Sequence, residues 1–230
     1  MRLDRILANH GVATRVPAGR LVRDGRVTVD GLVVRDPSAH ATPGQVCVDN
    51  APIDHPGGVL VALHKPVGHV VTHDDGEGPT VFALLPATWA DRSPRPEAVG
   101  RLDQDTSGLL LIVDDHALLH RLTSPRHHVT KTYVAHLARP VTSELTAAFA
   151  SGELVLRGED KPCTPAATVE LDERTVEVTL TEGRYHQVRR MFAACGNHVE
   201  ALHRTGVGGC RLGDLGPGEW RDVSRAELGA

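Results

Sequence analysis

The sequence lacks long hydrophobic runs and has few cysteines and few aromatic residues. No stretch approaches the ~18 consecutive apolar residues of a membrane-spanning helix. The acidic Asp4 and the absence of an apolar segment behind it predict that the chain carries no signal peptide. The four cysteines are far apart and form no C-x-x-C pair, which is typical of reduced thiols. We therefore expect a cytoplasmic protein without a membrane partner, and we expect it to be a monomer.

Lysine is also scarce, and the net charge is acidic. Three of the 25 basic residues are lysines, and the formal net charge of -4 argues against binding nucleic acid through bulk charge. The charge is uneven, however. Residues 1–37 carry seven Arg against four Asp, a net of +3, whereas the rest of the chain sums to -7. Local basic surfaces on an acidic protein predict a selective footprint for phosphate groups.

The first 57 residues predict a small α+β module. Leu3, Ile6 and Leu7 have helical spacing, and Thr14 is a candidate N-cap for a second helix. Asp30-Gly31 lies between two β-branched runs, which is a strong hairpin signal. Residues 54–58 contain too many turn formers for a helix or strand and predict a linker to a second domain at 58–230.

The order of motifs in this module resembles the S4 domain, a small RNA-binding fold. The similarity lies in Arg2-Leu3-Asp4, in the segment 11–15 and in the segment 25–31. It implies that a helical face contacts structured RNA, and the alternative is a basic face exposed only to solvent. The candidate phosphate contacts are Arg5, Arg15, Arg20 and Arg23.

Residues 58–230 predict a second, larger α+β domain. Neither a βαβ alternation nor a G-x-G-x-x-G motif is present, which disfavours a nucleotide-cofactor fold and favours a mixed, largely antiparallel sheet with flanking helices. Periodicity predicts strands at 60–63, 70–72, 109–113, 131–137 and 176–180, and helices at 117–122, 143–150 and 185–194.

The segment 100–115 places a carboxylate in a polar loop before a buried strand. Asp103 lies in that loop, and Arg101 shares its face of the extended chain. Such a loop suits a catalytic group, although the aspartates are also consistent with a plain surface turn. A calcium loop is the third interpretation, with ligands at Asp103, Asp105, Ser107 and Asp114, but the last position lacks the usual bidentate Glu.

Zinc sites are disfavoured by spacing. His116 and His120 are four residues apart on a predicted helix but lack the Glu of H-E-x-x-H. Cys195 and His198 have no second pair of ligands. We therefore expect no metal site.

Three further segments, in order behind the S4-like module, resemble the pseudouridine synthases of the RsuA type. An upstream motif at 64–68 also matches that family. The similarity covers almost the whole chain. The three segments are Gly100-Arg101-Leu102-Asp103 with 106–110, Ser124-Pro125-Arg126-His127-His128 with Lys131-Thr132-Tyr133, and residues 182–191.

The resemblance implies the roles of individual residues. Asp103 would be the catalytic carboxylate, Tyr133 would stack on the target base, and Arg189 would be the cation beside Asp103 that favours its ionised form. The resemblance also implies the reaction, which is the isomerisation of uridine to pseudouridine in RNA. This reaction involves no net oxidation or reduction, so no cofactor is expected. The further residues expected to hold RNA are Arg101, Arg126, His127, His128, Lys131, Arg184, His186 and Arg190.

The segments 123–128 and 185–194 resemble the branch of the family that modifies the small ribosomal subunit, whereas large-subunit relatives tend to carry Asn-Arg in place of Tyr185-His186. The resemblance therefore implies ribosomal RNA as the partner, specifically a uridine of 16S rRNA in an assembling small subunit. A 23S rRNA uridine is the close alternative. A catalytically silent RNA-binding or ribosome-assembly factor is the alternative from a different class.

Overall fold

The computed structural model describes residues 1–229. Their α-helices are α1 (Leu3–Asn9), α2 (Arg15–Arg23), α3 (His116–Thr123), α4 (Ser143–Ser151) and α5 (Gln187–Ala194). Their strands are β1 (Val27–Val29), β2 (Leu32–Val33), β3 (Val46–Val48), β4 (Ala51–Pro52), β5 (Leu60–Lys65), β6 (Glu97–Ala98), β7 (Thr106–Val113), β8 (Lys131–Leu137), β9 (Ala167–Asp172), β10 (Thr175–Leu180), β11 (Val199–Val207), β12 (Cys210–Arg211) and β13 (Trp220–Asp222).

The N-terminal part is a four-stranded antiparallel sheet, in the order β2-β1-β3-β4, packed against α1 and α2. Leu3, Ile6 and Leu7 are fully buried, as their helical spacing predicts. Asp30 and Gly31 both have positive φ and join β1 to β2, as the hairpin signal predicts. The two helices and the hairpin of the predicted module are confirmed.

The larger sheet has the order β13-β5-β7-β11-β8-β10-β9. All neighbours along this order are antiparallel except β7 and β11, which are parallel. One face of β7 packs with α3, and the other packs with buried side chains of the segment 81–89. Burial on both faces explains why Leu109–Val113 is a continuous apolar run. Helices α4 and α5 cover β8 and β10. The mixed, largely antiparallel sheet is as predicted.

Two predicted elements differ from those observed. Residues 70–72 are not a strand, because Val70 forms only an isolated bridge with Thr80. Helix α5 begins at Gln187 rather than at Tyr185, because His186 has a left-handed backbone with φ 48°. This turn directs the chain into the helix immediately after the loop 182–186.

The segment 54–58 lies between the two sheets, and Arg92 ties it to the larger sheet. The Arg92 side chain is buried, with 5% of the residue exposed. Its guanidinium donates to the carbonyls of Asp54 at 3.0 Å and His55 at 3.1 Å, and it pairs with Asp114 at 3.2 Å. The predicted domain boundary at residues 57 and 58 lies in this segment and stays a prediction. In the described chain, every helix is too short or too polar to cross a membrane.

Candidate active site

Lys65 supports the loop that holds Asp103 through hydrogen bonds to backbone carbonyls. This side chain is fully buried at the end of β5, and Nζ donates to the carbonyl of Thr106 at 2.7 Å. It also donates to Pro66 at 3.1 Å and Gln104 at 3.3 Å. One ammonium therefore ties two carbonyls that follow Asp103, those of Gln104 and Thr106, to the end of β5. Sequence reasoning placed Lys65 in a matching motif but gave it no role. A lone lysine ending an apolar strand was the available signal.

Burial lowers the pKa of Lys65 to about 8, and the charges of Asp103 and Asp105 partly offset this. An unfolded lysine has a pKa of about 10.4, so the unfolded state binds more protons between these two values. Stability therefore rises with pH through this window and falls as the pH drops back toward 8.

We expect the free energy of unfolding of the wild type, relative to that of Lys65→Met, to rise between about pH 8 and 10.5 and to be flat from pH 6 to 7.5. Urea titrations of both proteins at each pH measure the difference. Lys161→Met is the matched control, because Lys161 is exposed. A difference that is flat above pH 8 would contradict the assignment.

Gly108 lets a neighbouring strand approach β7 closely. It pairs with Lys65 on one side and with Arg204 on the other, and its φ is 111°. A Cβ at this position would lie 2.2 Å from the Arg204 carbonyl oxygen, which no side chain tolerates. Arg204 is 3% exposed and donates to the carbonyl of Leu109 at 2.7 Å. Sequence reasoning missed this buried arginine.

Two adjoining cavities open at the Asp103 loop. The smaller, about 60 Å³, is lined by Asp103, Tyr133, Arg189 and Leu202. The larger, about 490 Å³, is lined by residues 100–104 and 183–186 together with the segment around Val70. Arg101, Asp103 and His186 line both. The structure therefore brings Asp103, Tyr133 and Arg189 together, and it places Arg101 on the same side as Asp103.

The side chain that contacts Asp103 differs from the one expected. Oδ1 of Asp103 is 3.1 Å from Nε2 of His186. Within residues 1–229, Arg189 is too far from Asp103 to form an ion pair with it. Arg189 pairs instead with Asp105, with Nη2 at 2.9 Å from Oδ2. The cause is the left-handed turn at His186, which carries this ring over Asp103 and places Arg189 one helical turn further along.

Arg189 is a half-satisfied guanidinium in the wall of the small cavity. Its Nη1 donates to the carbonyl of Val199 at 2.9 Å. Nε and Nη2 are buried, and they have no hydrogen-bond partner of suitable geometry among the described residues, so the Asp105 contact is an ion pair without a hydrogen bond. Unpaired buried donors are costly, so this guanidinium is held by one hydrogen bond and one ion pair at a cost in stability.

Arg184 and Arg190 are both committed to Glu159. Nη1 of Arg184 lies 2.6 Å from Oε2, and Nη1 of Arg190 lies 2.6 Å from Oε1. These arginines lower the pKa of Glu159, with Arg190 as the larger cause. Their remaining donors reach Glu182 and backbone carbonyls. This geometry favours a structural role for both arginines, in which they hold the loop 182–186. It does not favour the RNA contacts predicted for them.

The other candidate RNA contacts differ in exposure. Arg126, His127 and His128 are exposed on a short turn before β8. Lys131 is half-buried, and burial followed by the charge of Arg204 lowers its pKa. The four N-terminal candidates are exposed and have no ion pair within residues 1–229, whereas Arg2 and Arg26 are paired with aspartates. Those four are Arg5, Arg15, Arg20 and Arg23.

The calcium-loop interpretation is wrong. Residues 106–113 are a strand of eight residues, which spans about 26 Å and separates Asp103 from Asp114. Asp114 instead accepts from the backbone N–H of Val59 at 2.9 Å and pairs with Arg92.

Comparison with known proteins gives two family matches. The model described as RNA pseudouridylate synthase matches residues 59–194, and the S4 domain model matches residues 1–47. The chain is 43% identical to ribosomal small subunit pseudouridine synthase A of Escherichia coli (strain K12), over 99% of this chain and 98% of that protein. It is 41% identical to the protein of the same name from Pasteurella multocida, with the same two coverages.

A solved structure described as a crystal structure of pseudouridylate synthase is also similar. It has a TM-score of 0.70 and 38% identity, and the match covers 100% of this chain and 98% of the other. The family model covers more than half of the chain, and relatives above 30% identity cover nearly all of it. Together with a carboxylate loop that faces a tyrosine and an arginine, these matches show that the chain belongs to the RNA pseudouridylate synthase family and carries an N-terminal S4 domain.

Proposed function

We propose that this enzyme isomerises one uridine of 16S ribosomal RNA to pseudouridine, within an assembling small subunit. The observation that carries the proposal is the position of Asp103, the carboxylate common to both cavities. Glu182 lines only the smaller cavity, and its oxygens are taken by Thr164, Gln187 and Arg184. The small-subunit substrate is supported by the names of the relatives that cover the chain.

The reaction breaks the N1–C1′ bond of uridine, turns the uracil, joins C5 to C1′, releases the C5 proton and adds a proton from water to N1. Atoms and electrons balance without an oxidant or reductant. Asp103 acts either as a nucleophile or as a base, and His186 positions it, with Nε2 at 3.1 Å from Oδ1. Tyr133 offers a ring face for the uracil in the wall of the same cavity.

The target nucleotide has to leave its helix to reach this site. The smaller cavity, at about 60 Å³, is well below the roughly 300–1,000 Å³ of ordinary ligand pockets, so the nucleotide spans both cavities. Arg101 lines both and is exposed, which suits a side chain that holds the displaced nucleotide.

The S4 domain supplies affinity rather than chemistry in this proposal. We expect replacement of Arg5, Arg15, Arg20 and Arg23 by Gln to lower kcat/KM more than kcat, because exposed arginines free of ion pairs contribute to RNA capture. The slope of log affinity against log salt should fall by about 0.7–0.9 for each phosphate that an arginine no longer neutralises. Arg26→Gln is the control, since Arg26 is paired with Asp49. An unchanged salt slope in the quadruple variant would contradict this footprint.

One map separates the proposal from its alternatives. Pseudouridines in ribosomal RNA are located by mass spectrometry in cells with and without this protein. The proposal predicts the loss of a single pseudouridine from 16S rRNA. Loss from 23S rRNA would support the alternative large-subunit substrate, and an unchanged map would support a silent RNA-binding or assembly factor.

A further inference from the structure

Tyr185 is an exposed aromatic ring beside the catalytic carboxylate. The chain has only two tyrosines, and aromatic residues make up 3% of it. Tyr133 lines the smaller cavity, whereas Tyr185 lines the larger one and is 70% exposed. One side of the Tyr185 ring stacks on His186, with ring centroids 3.7 Å apart and an interplanar angle of 22°. The phenol ring thus has a supported face and an exposed one.

The ring is held on an anchored loop. The carbonyl of Tyr185 accepts from Nη1 of Arg190 at 3.0 Å, and the preceding Arg184 is fixed by Glu159 and Glu182. His186, which supports the ring, is itself held by Asp103 at 3.1 Å. A ring anchored in this way binds a planar partner with little further loss of conformational freedom.

The position of the ring indicates the class of partner. His186, on which Tyr185 stacks, contacts the carboxylate that acts on the target nucleotide, and both rings line the larger cavity, which Tyr133 does not line. The same cavity is also lined by Arg101, an exposed cation suited to a phosphate. A ring face and a cation in one open cavity are the combination that binds single-stranded nucleic acid, since every base presents a π-face.

Resting on the proposed function, we propose that the exposed face of Tyr185 is a stacking subsite for the unpaired base adjacent to the target uridine. The subsite recognises the π-face and not the hydrogen-bonding edge, so it accepts any base and requires only that the neighbour be unstacked. It therefore selects RNA in which two consecutive nucleotides are displaced together.

The test pairs two variants with modified RNA. Tyr185→Leu removes the ring, and Tyr185→Phe keeps it and serves as the conservative rescue. The substrate is the 16S rRNA fragment that carries the mapped uridine, with either flanking nucleotide replaced in turn by an abasic residue. We expect Tyr185→Leu to raise KM about tenfold, with kcat less affected, and Tyr185→Phe to restore KM. Abasic replacement at one flank should raise the wild-type KM by a similar factor and have little further effect in Tyr185→Leu.

Two results would overturn the subsite: a wild-type KM in Tyr185→Leu, or an abasic effect that is as large in Tyr185→Leu as in the wild type. A second measurement does not depend on turnover. A single-stranded RNA nonamer with a central uridine and 2-aminopurine beside it should lose fluorescence on binding wild type and Tyr185→Phe, and keep it on binding Tyr185→Leu. If the wild type quenches the nonamer but forms no pseudouridine on the mapped fragment, the proposed function is rejected and the subsite is not. Turnover without ring-dependent quenching would reject the subsite alone.

Discussion

Replacement of Asp103 by Asn should abolish pseudouridine formation while RNA affinity stays within a few-fold of wild type. The amide has nearly the same shape, but it is neither a nucleophile nor a base. Loss of such a group costs well over ~100-fold in rate. Asp103 is also half-buried at the junction of the two cavities, where no other described carboxylate is free to replace it. The rate is measured by tritium release from RNA labelled at C5 of uridine, under single-turnover conditions.

Glu77→Gln is the matched control, since Glu77 is a carboxylate that lines only the larger cavity. It should retain turnover close to that of the wild type. Residual activity above about one per cent in Asp103→Asn, or an equal loss in Glu77→Gln, would remove Asp103 from its role as the essential group.

The second large effect distinguishes two consecutive arginines. Arg189→Ala should lower single-turnover rates by about 100-fold or more, because Arg189 lines the small cavity and ties Asp105, two residues from Asp103, to α5. Arg189→Lys should also be slow, because an ammonium cannot reach the Val199 carbonyl and Asp105 in the same planar geometry. Arg190→Ala should keep most of its turnover and have a lower free energy of unfolding. Each kcal/mol lost lowers Tm by about 2–4 °C in a chain of this size.

The three proteins are compared on one rRNA fragment, with rates followed from pH 5 to 9 and Tm followed by circular dichroism. Arg190 is expected to matter for Tm because it bonds Glu159 at 2.6 Å and the carbonyls of Tyr185 and Arg157 at 3.0 Å. If Arg190→Ala were inactive and Arg189→Ala active, the assignment of Arg189 to the small cavity would be wrong.

Local sequence patterns predicted most of the helices and strands, and the family resemblance supplied the candidate residues of the site. Asp103 and Tyr133 lie in motifs whose order along the chain is specific, and the apolar run of β7 has the length of a buried strand. Strand β11 was missed because Glu200, His203 and Arg204 interrupt its apolar pattern, although it lies in the middle of the sheet. Its burial comes from strands distant in sequence, which no local window contains.

The pairings inside the site were less predictable for a similar reason. Helical geometry places Arg189 and Arg190 about 100° apart, and the distinction between them is retained in the structure. The left-handed backbone of His186 decides which cation reaches Asp103, and only an occasional residue other than glycine adopts that conformation. The carbonyl partners of Lys65 likewise depend on how the loop folds back over β5.

The parallel pairing of β7 with β11 sets the order in which this enzyme becomes active during its synthesis. Ser107 and His203, whose side chains bond at 2.8 Å across these strands, are 96 residues apart. A nascent chain that has not yet reached residue 199 contains the S4 arginines, Lys65, Asp103 and Tyr133, but lacks the strand that completes the small cavity. Closing so long a connection is slow compared with forming the local N-terminal module. The chain therefore completes its S4 domain well before its catalytic pocket. Under the proposed function, an incomplete translation product would bind RNA without modifying it.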